Sequence, residues 1–207
     1  QPEKLSAVVV SHRHLDHSGD VNVMVEAMTN GGLNPHGTVF APADALDPEP
    51  VLYSYLRKYL KEVVVLAENK FYTVGDVTFT TPVRHIHPVE TYGMVFQTPR
   101  HTFSYIADTL FFKDITRYYR GELLIINTLF MEPRLTALNL PIQHLSVGDA
   151  VHIVSELKPK VAILTHFGLN IWQANPVEVA ARMSQKTGVH VIAATDGMRF
   201  DLSELND

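Results

Sequence analysis

Cysteine is absent from this sequence of 207 residues. Without thiols the chain can form neither a disulfide bond nor a thiolate metal site, so any bound metal must use histidine, aspartate, glutamate or backbone oxygen as ligands. No apolar run approaches the roughly 18 residues that a membrane span needs, and the first residues lack the charged and then apolar pattern of a signal peptide. These absences predict a cytoplasmic protein that does not enter a membrane.

Positive charge is also scarce, because 17 lysines and arginines face 22 aspartates and glutamates, which gives a net charge of −5. Broad attraction to nucleic acid or to anionic lipid depends on clustered basic residues, so this balance argues against both. A small anionic substrate bound through a metal is compatible with it. The hydrophobic content of 46% is ordinary for a folded chain, and no linker or repeat interrupts the sequence, which predicts one domain over residues 1–207.

Strand and helix patterns alternate along the chain. Nine runs have the composition of strands, at residues 7–11, 37–42, 62–67, 77–83, 92–98, 102–108, 122–127, 161–166 and 190–195. Helical spacing of apolar residues predicts four helices, at about 19–30, 50–60, 146–157 and 175–187. Ser146 is a suitable N-cap for the third helix. Hairpin-like strand pairs followed by a helix-strand-helix-strand order predict a layered α/β or α+β fold.

The densest polar cluster is the segment "SHRHLDHSGD" at residues 11–20, which places His12, His14, Asp16 and His17 within six positions after the first predicted strand. Buried imidazoles and carboxylates need partners, and a metal ion suits this set of side chains. If the chain is still extended, His12 and His14 point the same way, whereas Asp16 and His17 follow a turn and point elsewhere. One loop can therefore supply two neighbouring metal sites.

The chain has eleven histidines in total, a high number for its length. Histidine is commonly only partly buried, so we expect surface or capping roles where no pattern surrounds it. Five histidines fall in this class: His36, His85, His101, His152 and His190.

The motif at His12 resembles the His-x-His-x-Asp-His signature of the metallo-β-lactamase superfamily, and every signature position matches. The resemblance implies an α/β fold of the αββα four-layer type with a metal centre at its edge and with further ligands at later strand ends. Since the motif comes as early as residue 12, it also implies that amino-terminal strands are missing or shortened. The resemblance implies seven ligands for two ions: His12, His14 and His87 for the first, Asp16, His17 and His166 for the second, and Asp108 bridging them.

Five imidazoles and two carboxylates suit two divalent ions, with zinc as the first expectation and manganese or iron as alternatives, because no thiolate favours one metal. Two neighbouring ions can lower the pKa of a shared water and clamp the oxygens of the group under attack. Hydrolysis by a hydroxide that bridges the ions is therefore the expected reaction class.

His144 precedes a predicted helix and lies about twenty residues before His166, which resembles the phosphodiesterase or ribonuclease Z-like branch of the superfamily. In that branch such a histidine assists at the phosphate, so we place His144 with Asp16 and Asp108 in the catalytic set. Its alternative is a surface residue in front of a helix. Asp196 resembles the family's carboxy-terminal Asp-Gly pair, and we expect it to support the site or to form a turn.

These features favour a hydrolase of a phosphodiester or related small anionic ester. The alternatives are a lactone, thioester or β-lactam hydrolase of the same fold, and a non-catalytic, metal-stabilised binding protein. Nucleic acid stays open as a partner, although the chain has no basic arm to grip RNA. The segment at residues 50–60 is interpreted as an ordinary packing helix, with a homodimer contact as its alternative, and "TRYYRG" at residues 116–121 as a surface turn.

Overall fold

The computed structural model of the protein describes residues 1–206. This part of the chain has ten strands: Ala7–Val9 (β1), Thr38–Ala41 (β2), Glu62–Val65 (β3), Lys70–Val74 (β4), Val77–Thr81 (β5), Met94–Gln97 (β6), Thr102–Ile106 (β7), Leu123–Asn127 (β8), Val161–Thr165 (β9) and His190–Ala193 (β10). Its α-helices are Leu15–Ser18 (α1), Val21–Thr29 (α2), Ser54–Arg57 (α3), Val147–Leu157 (α4), Leu169–Gln173 (α5) and Pro176–Thr187 (α6). Short 3₁₀ helices lie at Pro2–Lys4, Ala43–Ala45, Ile115–Tyr118 and Leu202–Asn206.

The strands form two sheets. The first sheet has the order β1-β2-β3 and is parallel throughout. The second has seven strands in the order β10-β9-β8-β7-β6-β5-β4, with antiparallel pairs from β4 to β7 and parallel pairs from β7 to β10. Because the last four strands are parallel, the residues that follow each of them lie at the same edge of the sheet.

Helices cover the outer faces of the two sheets. On the first sheet, α2 and α3 bury Val25, Met28 and Leu56 against the strands. The two sheets meet through aromatic contacts such as Phe40 with Phe79, whose ring centroids are 5.2 Å apart. On the second sheet, α4 and α6 form the largest core with the outer faces of β8 and β9. The layers are therefore αββα, the arrangement that the histidine motif predicts.

Local sequence signals explain where the two long carboxy-terminal helices begin. The Ser146 hydroxyl oxygen accepts a hydrogen bond from the Asp149 amide, and the Asp149 carboxylate accepts one from the Ser146 amide, which completes a capping box at the start of α4. Asn175 caps α6 in front of Pro176, and Gly188 ends that helix in the left-handed conformation. Both helices agree with the sequence prediction to within one residue.

Four of the helices and strands differ from the sequence prediction, and two of them, α1 and α5, were not predicted at all. The helix expected at residues 50–60 is helical only over Ser54–Arg57. Leu52 and Leu60 lie outside this single turn, yet they pack into the same core as Leu56. Strand β4 was not predicted either. It pairs with β5 across the turn at Gly75, which has a φ of 60°.

None of the helices in residues 1–206 is long and apolar enough to cross a membrane.

Candidate metal centre

The histidine motif lies directly after β1, where the chain leaves the first sheet. His12 is fully buried, and the chain turns at His14 into the single turn of α1. The Ser18 hydroxyl donates to the His14 carbonyl at 2.9 Å and fixes this turn. As a result His12 and His14 face one side, while Asp16 and His17 project from α1 toward a neighbouring point, as the spacing predicts.

The later members of the predicted set come from the second sheet and its loops. Asp108 follows β7, and His166 follows β9 with a φ of 63°. His87 and His144 lie in two loops that contact each other, because His87 Nδ1 donates to the Gln143 carbonyl at 3.0 Å. Ligands from separate parts of the chain therefore meet at one point between the sheets.

The side chains form two adjacent clusters that share a carboxylate. In the first, His14 Nδ1 and His87 Nε2 are 3.0 Å apart, and the ring of His12 lies 4.9 Å and 5.0 Å from their ring centroids. In the second, His17 Nε2 and His166 Nε2 are 2.9 Å apart, and Asp16 Oδ2 lies 3.2 Å from His166 Nε2. The structure thus groups the residues in the two sets that the family resemblance implies.

Asp108 stands between the two clusters and is 2% exposed. Its Oδ2 lies 3.2 Å from His17 Nε2 in one cluster and 3.7 Å from His12 Nε2 in the other. Its Oδ1 accepts a hydrogen bond from Asn127 Nδ2 at 2.8 Å. One carboxylate oxygen therefore faces both clusters while the other is held by the protein.

The protonation states of these groups suit metal binding. Burial, followed by the neighbouring His17, lowers the pKa of His12 to about 3. Burial also lowers the pKa of His87. Although burial alone would raise the pKa of Asp108, the hydrogen bond from His17 and the charge of His166 bring it below its usual range. Neutral imidazoles and an ionised carboxylate are the forms that bind a metal.

A bound ion would also explain an otherwise unpaired atom. Within residues 1–206, His12 Nε2 is buried and has no hydrogen-bond partner, although buried polar atoms are normally paired. The ligand atoms of its cluster, from His12, His14, His87 and Asp108, all lie within 4.8 Å of one another, as do those of Asp16, His17 and His166. The donor set contains only nitrogen and oxygen and therefore fits zinc, manganese or iron.

His144 lies beside this centre. Its Nδ1 is 3.6 Å from Asp108 Oδ2, its ring stacks on that of His166 at 5.7 Å between centroids, and its side chain is 17% exposed. Burial lowers the pKa of His144 to about 4. The alternative of an isolated surface residue is therefore wrong, and the side chain is close enough to Asp108 and His166 to form a third group of ligand atoms with them.

Two histidines expected at the surface are buried, so that expectation was wrong for His85 and His101. His85 Nδ1 donates to the Asp108 carbonyl at 3.1 Å, and its Nε2 accepts from the Tyr119 hydroxyl. His101 Nδ1 lies 3.0 Å from the Glu122 carboxylate. Burial lowers the pKa of His85 to about 4, which keeps the ring neutral. The other three histidines of this class, His36, His152 and His190, are half-buried or exposed as expected.

Asn127 and Tyr119 are the supporting residues that sequence reasoning missed. Asn127 ends a buried strand, and a polar residue at such a position could have indicated a supporting role. Gly93 could have indicated a close contact between the side chains around it. A Cβ added to Gly93 would lie 2.8 Å from His85 Nε2, so a glycine is needed for the close approach of His85 and Tyr119. Asp196 is exposed in a turn, in which Met198 donates to the Thr195 carbonyl, and Gly197 has a φ of 77°.

Comparison with known proteins gives matches over nearly the whole chain. Residues 1–167 match the model of a family described as beta-lactamase superfamily domain. The uncharacterized protein MJ1374 of Methanocaldococcus jannaschii is 28% identical over 211 residues, which cover 97% of this chain and 76% of that protein. The probable metallo-hydrolase YhfI of Bacillus subtilis is 31% identical over 109 residues, which cover 52% of this chain and 44% of that protein.

Solved structures have the same fold. The crystal structure of YhfI, a metallo-beta-lactamase fold protein, matches with a TM-score of 0.77 at 24% identity and covers 95% of this chain and 78% of that chain. A diphosphatase from the PhnP family matches with a TM-score of 0.66 at 22% identity, covering 96% of this chain and 72% of that one.

Proposed function

Since this chain belongs to the β-lactamase superfamily, as the motif at His12 predicts, we propose that it is a dinuclear metal-dependent hydrolase of phosphodiesters. The observation that supports the reaction best is the position of His144, whose Nδ1 lies 3.6 Å from the shared carboxylate of Asp108. A buried, neutral imidazole at the edge of a paired metal site suits hydrogen bonding to a phosphoryl oxygen.

The two clusters would each hold one ion, and Asp108 lies close to the histidines of both. We expect zinc first, with manganese or iron as alternatives, because the ligand atoms are nitrogen and oxygen only. Bound divalent ions supply Lewis acidity toward a phosphoryl oxygen and lower the pKa of water. The carboxylates of Asp16 and Asp108 would help to hold the ions, and Asp16, the more exposed of the two, would accept a hydrogen bond from the attacking water.

His144 would contact the phosphate from the edge of the two clusters. Because its pKa is lowered to about 4, the ring is neutral near pH 7 and has one N–H to donate. That N–H can donate a hydrogen bond to a phosphoryl oxygen and stabilise the negative charge that develops there. The stacking of His144 on His166 and its contact with the Phe130 ring, 6.0 Å between centroids, restrict the orientation of the imidazole.

A cation beside the Phe130 ring, which packs against His144, favours an anionic ester over a neutral lactone. The guanidinium of Arg134 lies 5.7 Å from the centroid of the Phe130 ring, which in turn packs against His144. Its positive charge would attract a phosphodiester toward the metal centre. The likeness in fold to a diphosphatase of the PhnP family supports a phosphorus substrate as well.

The test compares initial rates on bis(p-nitrophenyl) phosphate, a thioester and an aryl lactone, using metal-loaded wild type, His144→Ala and His190→Ala. His190→Ala is the matched control because His190 is exposed and lies outside the metal centre. We expect the phosphodiester to be the fastest substrate, and His144→Ala to lower its kcat by about 100-fold without loss of metal, because the variant removes a hydrogen-bond donor to the phosphoryl oxygen. Faster turnover of the lactone or thioester would instead identify the other ester class, and an unchanged kcat in His144→Ala would contradict its role.

A further inference from the structure

A cleft lies next to the metal centre, on the side of His166. It has a volume of about 530 Å³ and is formed where β9 and β10 end. Its lining residues are Thr165, His166, Phe167, Trp172, Ala194, Thr195 and Asp196. Crevices beyond the carboxyl ends of parallel strands are common ligand sites in α/β proteins, and this volume is within the range of small-molecule pockets. The cleft shares one wall, His166, with the metal centre.

The apolar side of the cleft is Trp172, whose side chain is 67% exposed. The helix that holds it, α5, is anchored by Ile171, which is fully buried in the main core. The Gly168 amide donates to the Leu129 carbonyl at 3.0 Å, and the Trp172 amide donates to the Gly168 carbonyl at 3.1 Å. The indole is therefore presented on a fixed element, six residues after the metal-site histidine.

The polar side of the cleft is the turn at Asp196. This residue is exposed, and within residues 1–206 neither a cation nor a hydrogen-bond donor is paired with its carboxylate. An ionised carboxylate can only accept hydrogen bonds, so it favours a ligand with an N–H or O–H group. An aromatic face on one wall and an unpaired acceptor on another select a planar ring that bears donors.

We propose that this cleft binds the organic group of the ester, and that this group is of the nucleoside type: a planar base stacked on Trp172, with an N–H or hydroxyl donating to Asp196. The proposal rests on the phosphodiester hydrolase function proposed above, because the shared residue His166 places the phosphate of such a ligand at the metal centre. Stacking of a base on an aromatic side chain typically strengthens binding by about tenfold.

The first experiment measures binding without turnover. Trp172 is the single tryptophan of the chain, so tryptophan fluorescence reports this residue alone. We expect thymidine 5′-monophosphate to quench the fluorescence of the metal-loaded protein and ribose 5-phosphate to leave it unchanged. Asp196→Asn should raise the Kd of the nucleotide several-fold, and Asp76→Asn, at an exposed turn elsewhere, should not. Absence of quenching, or equal quenching by the sugar phosphate, would overturn the proposal.

The second experiment measures selectivity between two esters with the same leaving group. We expect wild type to hydrolyse the p-nitrophenyl ester of thymidine 5′-monophosphate with a kcat/KM about tenfold above that of methyl p-nitrophenyl phosphate. Trp172→Ala should bring this ratio close to one by raising KM for the nucleoside ester, while Phe71→Ala, at an exposed phenylalanine of β4, keeps it. A ratio of one in wild type would contradict the cleft assignment, whereas quenching without hydrolysis of either ester would contradict only the phosphodiesterase function.

Discussion

Asp108 divides its two carboxylate oxygens between different tasks. Oδ2 faces the histidines of both clusters, and Oδ1 is occupied by the amide of Asn127. The backbone of Asp108 is held as well, through the hydrogen bond from His85 to its carbonyl. Residues that orient a metal ligand in this way tune the affinity of the site without touching the metal.

Replacing Asn127 by alanine should weaken metal binding. Without its N–H donor, Oδ1 of Asp108 is free to rotate toward the ions, and we expect metal affinity to fall by about 10–100-fold. Titration of the metal-free protein with zinc, followed by calorimetry, measures this change. Asn34→Ala, at an exposed loop position, is the control. An affinity equal to that of wild type would show that Asn127 does not orient the carboxylate.

Tyr119→Phe should lower stability more than activity. The variant removes the hydroxyl that donates to His85 Nε2 and leaves a buried acceptor unpaired, which costs about 1–2 kcal/mol of unfolding free energy. Urea denaturation of the metal-loaded protein measures the loss, and Tyr118→Phe, at the neighbouring and partly exposed tyrosine, serves as the control. If Tyr118→Phe were as destabilised as Tyr119→Phe, the buried hydrogen bond would not be the cause.

For individual residues, the sequence predicts the proposed metal ligands better than the residues that hydrogen-bond to those ligands. The spacing of His12, His14, Asp16 and His17 is local, so a motif can be recognised from one segment. Asn127 and His85 act on Asp108 from positions 19 and 23 residues away. Such contacts depend on which strands pair in the folded protein, and they cannot be predicted from a short sequence motif.

Strand ends and helix starts place the reacting groups. Asp108 and His166 follow parallel strands at one edge of the second sheet, and His144 lies two residues before the N-cap of α4. The capping box at Ser146 therefore fixes both the helix and the loop that presents His144.

Ser146→Ala should destabilise this region. Loss of the buried hydroxyl removes the cap of α4, which costs about 1 kcal/mol of unfolding free energy. Because His144 is so close, we also expect phosphodiester kcat to fall more than KM changes. Ser155→Ala, inside the same helix, should stay within a few tenths of a kcal/mol of wild type. Equal effects of the two variants in denaturation and kinetics would rule out the capping explanation.

Most elements were predictable because their signals are local. Alternation and β-branched runs identify nine of the ten strands, and the helical spacing of apolar residues, with Ser146 as an N-cap for α4, locates α4 and α6. The short strand β4 and the mostly non-helical conformation of residues 50–60 were not predictable from local signals, because tertiary packing determines both. Leu52, Leu56 and Leu60 have the four-residue spacing of a helix, although only Ser54–Arg57 is helical.

The residues of the candidate metal centre come from both halves of the whole molecule. Four of its proposed ligands follow the first strand of the three-stranded sheet, and the others come from the seven-stranded sheet and its loops. Sequence patterns predicted the layers, but the meeting of the two sheets at this point followed only from the family resemblance, because it depends on contacts between distant segments such as His17 and His166.

Removal of the metal should therefore loosen the contact between the sheets. A ligand that binds only the folded state at about a thousand times its Kd adds about 4 kcal/mol of stability. We expect dialysis against a chelator to lower Tm and re-addition of zinc to restore it, as measured by calorimetry. An identical Tm with and without chelator would mean that no ion joins the two halves.

The most direct test of the dinuclear hydrolase is elemental analysis together with bis(p-nitrophenyl) phosphate turnover, on the same preparations of wild type and Asp108→Ala. We expect about two divalent ions per wild-type chain. In the variant we expect the loss of at least one ion and of turnover, while circular dichroism shows an intact fold. A wild-type protein that binds no metal when it is supplied, or a variant that retains both ions and full turnover, would contradict the proposed function.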